Sequence, residues 1–364
     1  MRYRTLFIGG GAGALLAAAG WRRVTGSMAG YAARAQRLRA PIAAPHLHEA
    51  IRLATLAANS HNTQPWRFRL RPGAVEILPD PTRRTPAVDP DDHHLHVSLG
   101  CAAQNFAIAA AATGHPGELV PMPGGLRYEY APGPARRHPL LPAIAQRQST
   151  RTVYDGRPLP AAELALLERA AAWPGVRCVL LADRPRIGRI RDLVVAGNAA
   201  QMADAAFLRE LRAWLRFNPR HALASGDGLF AATAGRPVLP DALGRLAFEH
   251  FFGAAAENAR YARQVDSSAG IAVFLAERAD PPHWWQLGRA CQQFALQATA
   301  LGLRLAFVNQ PVEVPGLRPA LAAVAGEPAL RPDLVLRFGR GPALPMSLRR
   351  EVAAVLDDGT GPPG

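Results

Sequence analysis

The sequence predicts an α+β protein built from two related halves. Three observations support this prediction: helical and strand-like segments alternate along the chain, one helical pattern occurs twice, and a long additional segment interrupts the second half. The chain has 364 residues, of which 49% are hydrophobic, so it is long enough for two domains with a sizeable core.

The N-terminus is typical of an export signal or a marginal membrane anchor. Residues 1–4 are basic, residues 6–20 are apolar and rich in glycine and alanine, and the small residues 17–19 suit a signal peptidase. We assign residues 1–24 to this segment and expect membrane association through residues 5–21, with a location in the cell envelope. The alternative is an ordinary buried helix in a cytoplasmic protein.

The formal net charge of +14 does not predict a nucleic-acid partner. All 42 basic residues are arginines, because the sequence contains no lysine, and they are scattered along the chain. The absence of lysine also excludes Schiff-base chemistry and a P-loop lysine.

The sequence predicts neither a metal site nor a disulfide framework. His93, His94 and His96 alternate like a strand, but Asp91 and Asp92 beside them lie in a proline-bounded loop without a recognised ligand spacing. We therefore predict a solvated loop here. The cysteines are far apart and lack CxxC spacing; they are Cys101, Cys178 and Cys291.

Polar residues cluster where a predicted helix meets a predicted strand. Residues 48–58 carry apolar side chains at helical spacing, and residues 66–70 alternate like a strand. Between them, residues 59–64 supply hydrogen-bond donors and acceptors suited to the edge of a heterocycle. The alternative is a helix C-cap that Pro65 terminates, and spacing alone leaves both interpretations open.

An internal repeat organises the rest of the chain. The helical pattern of residues 99–108 recurs at residues 287–296 without a gap, with a constant offset of 287 − 99 = 188. We infer two halves of related fold, at about residues 45–135 and 140–355. Two copies of one domain can imitate a homodimer within one chain, with ligand sites between the copies.

The two halves differ in what separates their matched parts. The first half has a short strand at residues 75–78 and a charged loop, whereas the second has an insertion at about residues 195–266. Such an insertion is either a lid over a site or an oligomer arm, and we favour a lid. The strands expected after the insertion are residues 271–276, 303–308 and 334–338.

A second polar cluster begins the second half. In an extended segment, Arg147, Ser149 and Arg151 lie on one side of the chain, and two guanidinium groups around a hydroxyl suit a phosphate or an anionic ring edge. The alternative is a pair of solvated surface arginines. A third basic pair, Arg349 and Arg350, lies near the C-terminus before a predicted terminal helix.

These motifs together resemble the FMN-dependent nitroreductase superfamily, and more narrowly its fused two-domain, Acg-type branch. The resemblance rests on residues 60–66, the Arg147-x-Ser149-x-Arg151 stretch, the helices around Gln104 and Gln292, and residues 345–350, and it covers about residues 45–355. It implies antiparallel-rich sheets flanked by helices, an internal pseudo-dimer and a helical lid.

The resemblance also implies a divided FMN site. Residues of the second half would hold the ribityl phosphate and the pyrimidine edge, with Arg349 as a further phosphate ligand, while the polar turn would reach across from the first half. Ser347 replaces a basic residue found in some relatives, and residues 310–311 would lie near flavin N5. The full predicted set is Arg147, Ser149, Arg151, Ser60, Asn62, Gln64, Gln310, Pro311 and Arg349.

The expected activity is a two-electron reduction of a small nitroaromatic or quinone-type acceptor, with NAD(P)H as reductant, one FMN per chain and a monomer acting as a pseudo-dimer. No side-chain general acid is required, because the flavin carries the chemistry. One alternative is a protein that sequesters or senses FMN beneath a closed lid. Another is a membrane-associated structural protein with an empty pocket.

Overall fold

The structure is a computed structural model that describes residues 20–357. It confirms the predicted α+β class, because helices flank two four-stranded sheets in which all neighbouring strands are antiparallel. Residues 1–19 of the predicted signal or anchor segment lie outside the described residues.

The N-terminal part of the chain forms the first helices and the first sheet. The first unit consists of this sheet, the helix directly before it and the long helix between its second and third strands. In chain order the elements are α1 (Met28–Leu38), α2 (Leu47–Ala54), β1 (Trp66–Arg71), β2 (Ala74–Pro79), α3 (His93–Ala112), β3 (Gly117–Met122) and β4 (Gly125–Tyr130).

The remaining elements form the second unit and a segment inserted into it between β5 and β8, called the insertion. They are α4 (Leu141–Gln146), α5 (Ala161–Ala171), β5 (Val176–Leu181), α6 (Arg184–Ala203), α7 (Ala205–Trp214), β6 (Leu215–Arg216), α8 (Pro219–Ser225), β7 (Leu229–Phe230), α9 (Asp241–Phe251), α10 (Ala254–Asp266), β8 (Gly270–Ala276), α11 (Pro281–Ala300), β9 (Arg304–Phe307), α12 (Gln310–Glu313), α13 (Arg318–Ala325) and β10 (Pro332–Gly339).

The two sheets have the same strand order. The first is β1-β2-β4-β3 and the second is β5-β8-β10-β9, so each unit places its strands in the order first, second, fourth, third. In each unit a long helix, α3 or α11, connects the second and third strands. The insertion separates the first two strands of the second unit and starts earlier than predicted, since α6 begins at Arg184.

The long helices α3 and α11 cross through reciprocal contacts. A Cβ atom added to Gly100 would lie 2.1 Å from the Trp285 carbonyl oxygen, and one added to Gly288 would lie 2.1 Å from the Val97 oxygen. These pairs are related by the repeat offset, since 288 − 100 = 188 and 285 − 97 = 188. Such reciprocity is the pattern of a two-fold interface, and only glycine permits so close an approach of two backbones.

Hydrogen bonds along the same crossing repeat this reciprocity. Gln104 Nε2 donates to Gln293 Oε1 at 2.9 Å, and Gln292 Nε2 donates to Asn105 Oδ1 at 2.8 Å. The two amide pairs satisfy polar groups inside the core, where an unpaired amide is costly.

One continuous core joins the units. It contains Phe68 and Phe106 of the first unit and Phe294 and Phe338 of the second, all fully buried. Among residues 20–357, α3 is the one helix long and apolar enough to cross a membrane, but 78% of its apolar window is buried inside the protein. It is therefore the central core helix.

The C-terminal segment returns to the first sheet. The Phe68 amide donates to the Val355 carbonyl at 2.8 Å, and the Asp357 amide donates to the Phe68 carbonyl at 2.8 Å. The segment between α4 and α5 joins β9, where the Thr150 amide donates to the Leu305 carbonyl at 2.7 Å. The predicted terminal helix is instead a single 3-10 turn at Val352–Ala354, because β-pairing to β1 leaves no room for a longer helix.

Candidate functional site

A cavity of about 430 Å³ lies where the two units and the insertion meet. Four of the nine predicted site residues line it: Ser60 from the first unit, Ser149 and Arg151 from the segment beside β9, and Gln310 from α12. The fold therefore brings together parts of the chain that are far apart in sequence. The other five predicted residues do not line it.

The polar turn at residues 59–64 has an unusual backbone. His61, Asn62 and Gln64 have positive φ angles of 45°, 55° and 55°, although none of them is glycine. Each such residue costs about 1–3 kcal/mol and persists only where surrounding contacts hold it, most often at functional sites. Helix α2 ends at Ala54, earlier than the predicted residue 58. Hydrogen-bonded turns follow it, with the Leu56 amide donating to the Leu53 carbonyl at 3.2 Å and the Ala57 amide to the Ala54 carbonyl at 3.1 Å.

Asn62 and Gln64 bind the insertion and the C-terminal segment. Asn62 Nδ2 donates to the Gly228 carbonyl at 3.0 Å, and Gln64 Nε2 donates to the Gly226 carbonyl at 3.0 Å. Gln64 Oε1 accepts from the Arg350 amide at 2.8 Å. These side chains therefore fix the insertion against the first unit, and their role as FMN ligands stays a prediction.

Arg147 and Arg349 meet at the C-terminal end of α2. Arg147 Nη2 donates to the Leu56 carbonyl at 3.0 Å, and Arg349 Nη2 donates to the Ala57 carbonyl at 3.1 Å. Free carbonyls at a helix C-terminus attract cations, which explains why both side chains point here. Both residues are buried, with 5% and 4% exposure.

A third guanidinium completes this group, which we call the arginine cluster. Arg39, which follows α1, donates through Nη2 to the Ser347 carbonyl at 2.8 Å. Burial and repulsion from Arg147 lower the pKa of Arg39 to about 10. Burial and repulsion from Arg39 and Arg147 also lower the pKa of Arg349. Sequence reasoning missed Arg39, because nothing in the spacing of α1 links it to the distant Arg147 and Arg349.

The arginine cluster has no anionic partner among residues 20–357: none of the salt bridges found there involves Arg39, Arg147 or Arg349. Two nitrogens of Arg147, Nε and Nη1, are buried without a hydrogen-bond partner. Burying several like charges without compensation is unfavourable, so this arrangement favours binding of an anion.

Arg151 carries positive charge into the cavity itself. Its guanidinium lines the cavity, and burial lowers its pKa. Its backbone is held by the insertion, since Gln264 Nε2 of α10 donates to the Arg151 carbonyl at 2.8 Å. Ser149 is placed by a parallel bridge to Leu305 of β9. A hydroxyl and a guanidinium thus face the same space.

Residues 310 and 311 lie at the start of α12. Pro311 is buried near the first turn, a position at which proline is favoured because no donor is lost. Gln310 packs against α6, where a Cβ atom at Gly197 would lie 2.8 Å from its backbone. Gln310 Oε1 is buried without a hydrogen-bond partner and belongs to a side chain of the cavity wall.

His61 also lines the cavity. Burial, together with the nearby Arg151, lowers its pKa to about 4, so the imidazole is neutral at physiological pH. A neutral His61 agrees with a structural role in the turn and has no readily available proton to donate.

The predicted solvated loop around His93 is wrong. His93 and His94 are buried and begin α3, because the Asp89 carboxylate accepts from the amides of His94 and Leu95 at 3.0 and 2.9 Å. Asp89 also contacts His93 Nδ1 at 3.1 Å. Burial alone lowers the pKa of His93, but the hydrogen bonds to Asp89 and Asp91 outweigh it and raise the pKa to about 9. Acidic residues just before an apolar helical run were the missed signal.

The insertion supplies an apolar wall opposite the two units. Phe207 and Leu211 of α7 face Phe248 and Phe252 around α9, and all four side chains line the cavity. The one carboxylate that α10 adds to this wall, Glu257, forms a salt bridge of 2.6 Å to Arg236. The enclosed space therefore suits a flat, largely apolar molecule near fixed positive charge.

Comparison with known proteins identifies full-length relatives. The chain is 27% identical over 324 residues to “Putative NAD(P)H nitroreductase Rv3131” of Mycobacterium tuberculosis strain H37Rv, covering 84% of this chain and 89% of the relative. It is 23% identical over 329 residues to “Putative NAD(P)H nitroreductase acg” of the same strain, covering 85% and 95%. No protein-family model matches the chain.

Solved structures show weaker similarity. A nitroreductase with bound FMN from Desulfitobacterium hafniense is 17% identical, covers 59% of this chain and 96% of its own, and gives a TM-score of 0.38. The FMN-dependent nitroreductase NfnB from Mycobacterium smegmatis, in complex with NADPH, is 14% identical, covers 55% and 86%, and gives 0.36. Similarity at this level does not define a shared fold by itself. In sequence, the chain is therefore similar to proteins named putative NAD(P)H nitroreductases, with Acg-like proteins among these relatives.

Proposed function

We propose that this protein is an FMN-dependent NAD(P)H oxidoreductase of the nitroreductase type. The observation that carries the proposal is the arginine cluster, a buried group of guanidiniums without a carboxylate partner among residues 20–357, adjacent in sequence to residues of the cavity wall. FMN combines a phosphate with a planar apolar ring, and the cluster and the cavity match these two parts.

The residues present fit FMN. Arg147 has two unpartnered nitrogens and would bind the phosphate together with Arg349 and Arg39. Ser149, Arg151 and Ser60 would face the polar edges of the ring from the cavity wall. A volume of about 430 Å³ lies within the range of cofactor pockets.

When bound, the flavin supplies hydride transfer and storage of two electrons. The chain supplies position and charge. The fixed guanidinium of Arg151 would stabilise negative charge at the pyrimidine edge without reorganisation. The apolar side chains of the insertion would exclude water and strengthen this interaction.

The acceptor is proposed to be a small nitroaromatic or quinone-type molecule, reduced by two electrons that originate from NAD(P)H. Support comes from the aromatic and aliphatic wall formed by Phe207, Leu211 and Phe248, which would stack against a planar acceptor. The names of the sequence relatives agree with NAD(P)H as reductant.

We further infer an internal duplication with one FMN per chain. The equal strand order and the reciprocal glycine contacts support duplication. In the second unit, however, α5 connects to β5 through residues 172–175, where Trp173 takes the place of a polar turn. Only one complete site is expected, and a monomer would act as a pseudo-dimer.

The test is the visible spectrum of the purified full-length protein, followed by heat release and quantification of the flavin. We expect a yellow protein with one FMN per chain and rapid loss of the flavin absorbance on addition of NADPH. Two FMN per chain would contradict the single-site inference. Colourless protein that does not take up added FMN would exclude the flavin proposal and favour a structural role.

The second candidate is a protein that sequesters FMN without turnover. The observation that favours it is the position of the insertion, whose helices α7, α9 and α10 contribute to the cavity wall and would cover a bound flavin. NADPH separates the two functions. Bleaching within seconds supports a reductase, whereas no bleaching within minutes, in protein that dithionite does bleach, supports sequestration. Envelope localisation through residues 1–24 stays a prediction.

A further inference from the structure

Glu313 is an acidic side chain of the cavity wall that the proposed function does not use. It ends the short helix α12, three residues after Gln310, and lines the same cavity as Ser149 and Arg151. Its side chain is 15% exposed and contributes to the cavity wall. The carboxyl group can therefore reach a molecule held in the cavity.

Two polar side chains lie beside the Glu313 carboxyl. Gln201 Nε2 of α6 donates to Oε2 at 2.6 Å. His94 Nε2 of α3 lies 3.6 Å from Oε1, and this nitrogen is buried without a hydrogen-bond partner. The first unit, the second unit and the insertion thus converge on one carboxyl, which Gln201 holds through a hydrogen bond.

The surroundings of Glu313 favour its protonated form. Burial, with smaller contributions from Asp89 and Glu210, raises the pKa of Glu313 to about 7 against the opposing hydrogen bond from Gln201 and the charge of His93. Burial, with a smaller contribution from the charge of Glu313, raises the pKa of Tyr261 of α10. Burial and the adjacent His93 lower the pKa of His94 to about 3. Of these two side chains, Glu313 and not His94 therefore carries the exchangeable proton.

The proposed reaction consumes one proton beyond the hydride. A quinone accepts a hydride and a proton to give a hydroquinone, and a nitro group accepts a hydride and a proton to give a nitroso group and water. A positioned acid whose pKa lies near the working pH accelerates such a transfer about 10²–10⁴-fold.

We propose that Glu313 is the proton donor to the acceptor bound in this cavity, with Gln201 and His94 as positioning residues. The Glu313 O–H bond breaks as a new O–H bond forms on the acceptor, and the resulting carboxylate regains a proton from water entering the cavity. This inference rests on the proposed function and differs from the sequence-based expectation that no side-chain acid is required.

The experiment separates the two half-reactions of the FMN-loaded protein by stopped flow. Glu313→Gln keeps the shape and the hydrogen bonds but removes the acid. We expect reoxidation by a benzoquinone to slow at least tenfold at pH 6, while bleaching by NADPH changes less than twofold. The pH dependence of reoxidation near 7 should disappear in the variant. Glu163→Gln, whose carboxylate pairs with Arg340 outside the cavity, is the matched control and should leave both rates unchanged.

A second readout does not depend on turnover. Because burial raises the pKa of Glu313, the folded flavin-free protein loses stability as the pH rises through 7, and Glu313→Gln should flatten this part of the Tm profile. If Glu313→Gln does not fold, Glu313→Asp keeps a carboxyl and should retain a pH-dependent reoxidation. Equal slowing of both half-reactions, or an unchanged pH profile of reoxidation, would overturn the proposal. Absence of bleaching by NADPH would instead refute the proposed function, and the Tm profile would still report on the proton of Glu313.

Discussion

The two units share a topology but differ in the turn that precedes their first strand. In the first unit this turn holds three non-glycine residues at positive φ and joins the cavity. In the second unit the turn is four residues long, and Trp173 Nε1 donates to Gln286 at 2.8 Å while Arg289 lies over the indole ring. The turn of the second unit thus carries an indole held by Gln286 and Arg289.

This difference shows how a symmetric core can support an asymmetric site. The crossing of α3 and α11 requires equal contacts from both units, whereas the loops at the ends of the strands are free to differ. The insertion and the polar turn at residues 59–64 each occur once among residues 20–357, and both line the same cavity. The substitutions below test this asymmetry.

The largest effect is expected for Arg147→Met. The substitution keeps most of the apolar stem but removes a guanidinium from the arginine cluster, so the Kd for FMN should rise more than about 100-fold, because charge-assisted bonds to a phosphate are lost. Fluorescence titration of the flavin-free protein measures this change.

Arg289→Met, beside the Trp173 turn, is the matched control for that substitution. Arg289 is also partly buried, but it lies over Trp173 and bonds Gln104 and Gln286. Its replacement should leave the FMN affinity within about threefold, a change of less than 1 kcal/mol. A loss of FMN affinity as large as that of Arg147→Met would mean that the region around the Trp173 turn also binds flavin.

The reciprocal glycines test the symmetry of the core. Gly100→Ala and Gly288→Ala should each lower the free energy of unfolding by about 1–3 kcal/mol, because the new methyl group would meet a backbone carbonyl. Chemical denaturation measures both values. Gly253→Ala, which has nothing within 4 Å of the added Cβ, is the control and should be nearly neutral. A large cost at only one of the two crossing positions would contradict the reciprocity.

Sequence reasoning located the fold well because the fold depends on periodic and repeated features. The repeat at an offset of 188 residues identified α3 and α11, and the apolar alternation identified β1 and β2. Both signals arise from side chains that face one common core, so they are visible along the chain itself. Even so, the length of α2 and the start of the insertion were misjudged, since caps and turns decide boundaries.

The site was harder to predict because its contacts are distant in sequence. Arg39 reaches the cluster through a hydrogen bond to Ser347, which is 308 positions away, and no local pattern reports such a contact. Asn62 and Gln64 look like ligands in the sequence, yet their amides bond backbone carbonyls of the insertion. An amide suits both partners equally, so residue type alone cannot distinguish them.

A smaller effect is expected for Asn62→Ala. The substitution removes the bonds to the carbonyls of Gly228 and Leu348 and places alanine at a φ of 55°. We expect roughly a tenfold loss of FMN affinity, equal to about 1.4 kcal/mol, with the protein still folded. Limited proteolysis should then cut the insertion near residue 228 faster than in the wild type. Unchanged flavin content together with an unchanged cleavage rate would mean that the turn holds neither cofactor nor insertion.

A pH-dependent effect is expected at the starts of the two long helices. Helix α11 begins with Pro281 after the capping residue Asp280, whereas α3 begins with His93 between two carboxylates. Because the folded state raises the pKa of His93 from 6.5 to about 9, its contribution to stability is complete below pH 6.5 and is lost as the pH rises through 9.

His93→Gln should therefore flatten the decline of the unfolding free energy between pH 6.5 and 9, by at most about 1.4 kcal/mol per pH unit. Urea denaturation at several pH values measures this slope. His283→Gln, in the first turn of α11 beside Asp280, offers the corresponding change in the second unit. If only His93→Gln flattens the profile, the loss of stability at high pH belongs to the first unit. If the two substitutions flatten the profile equally, this loss is common to both units.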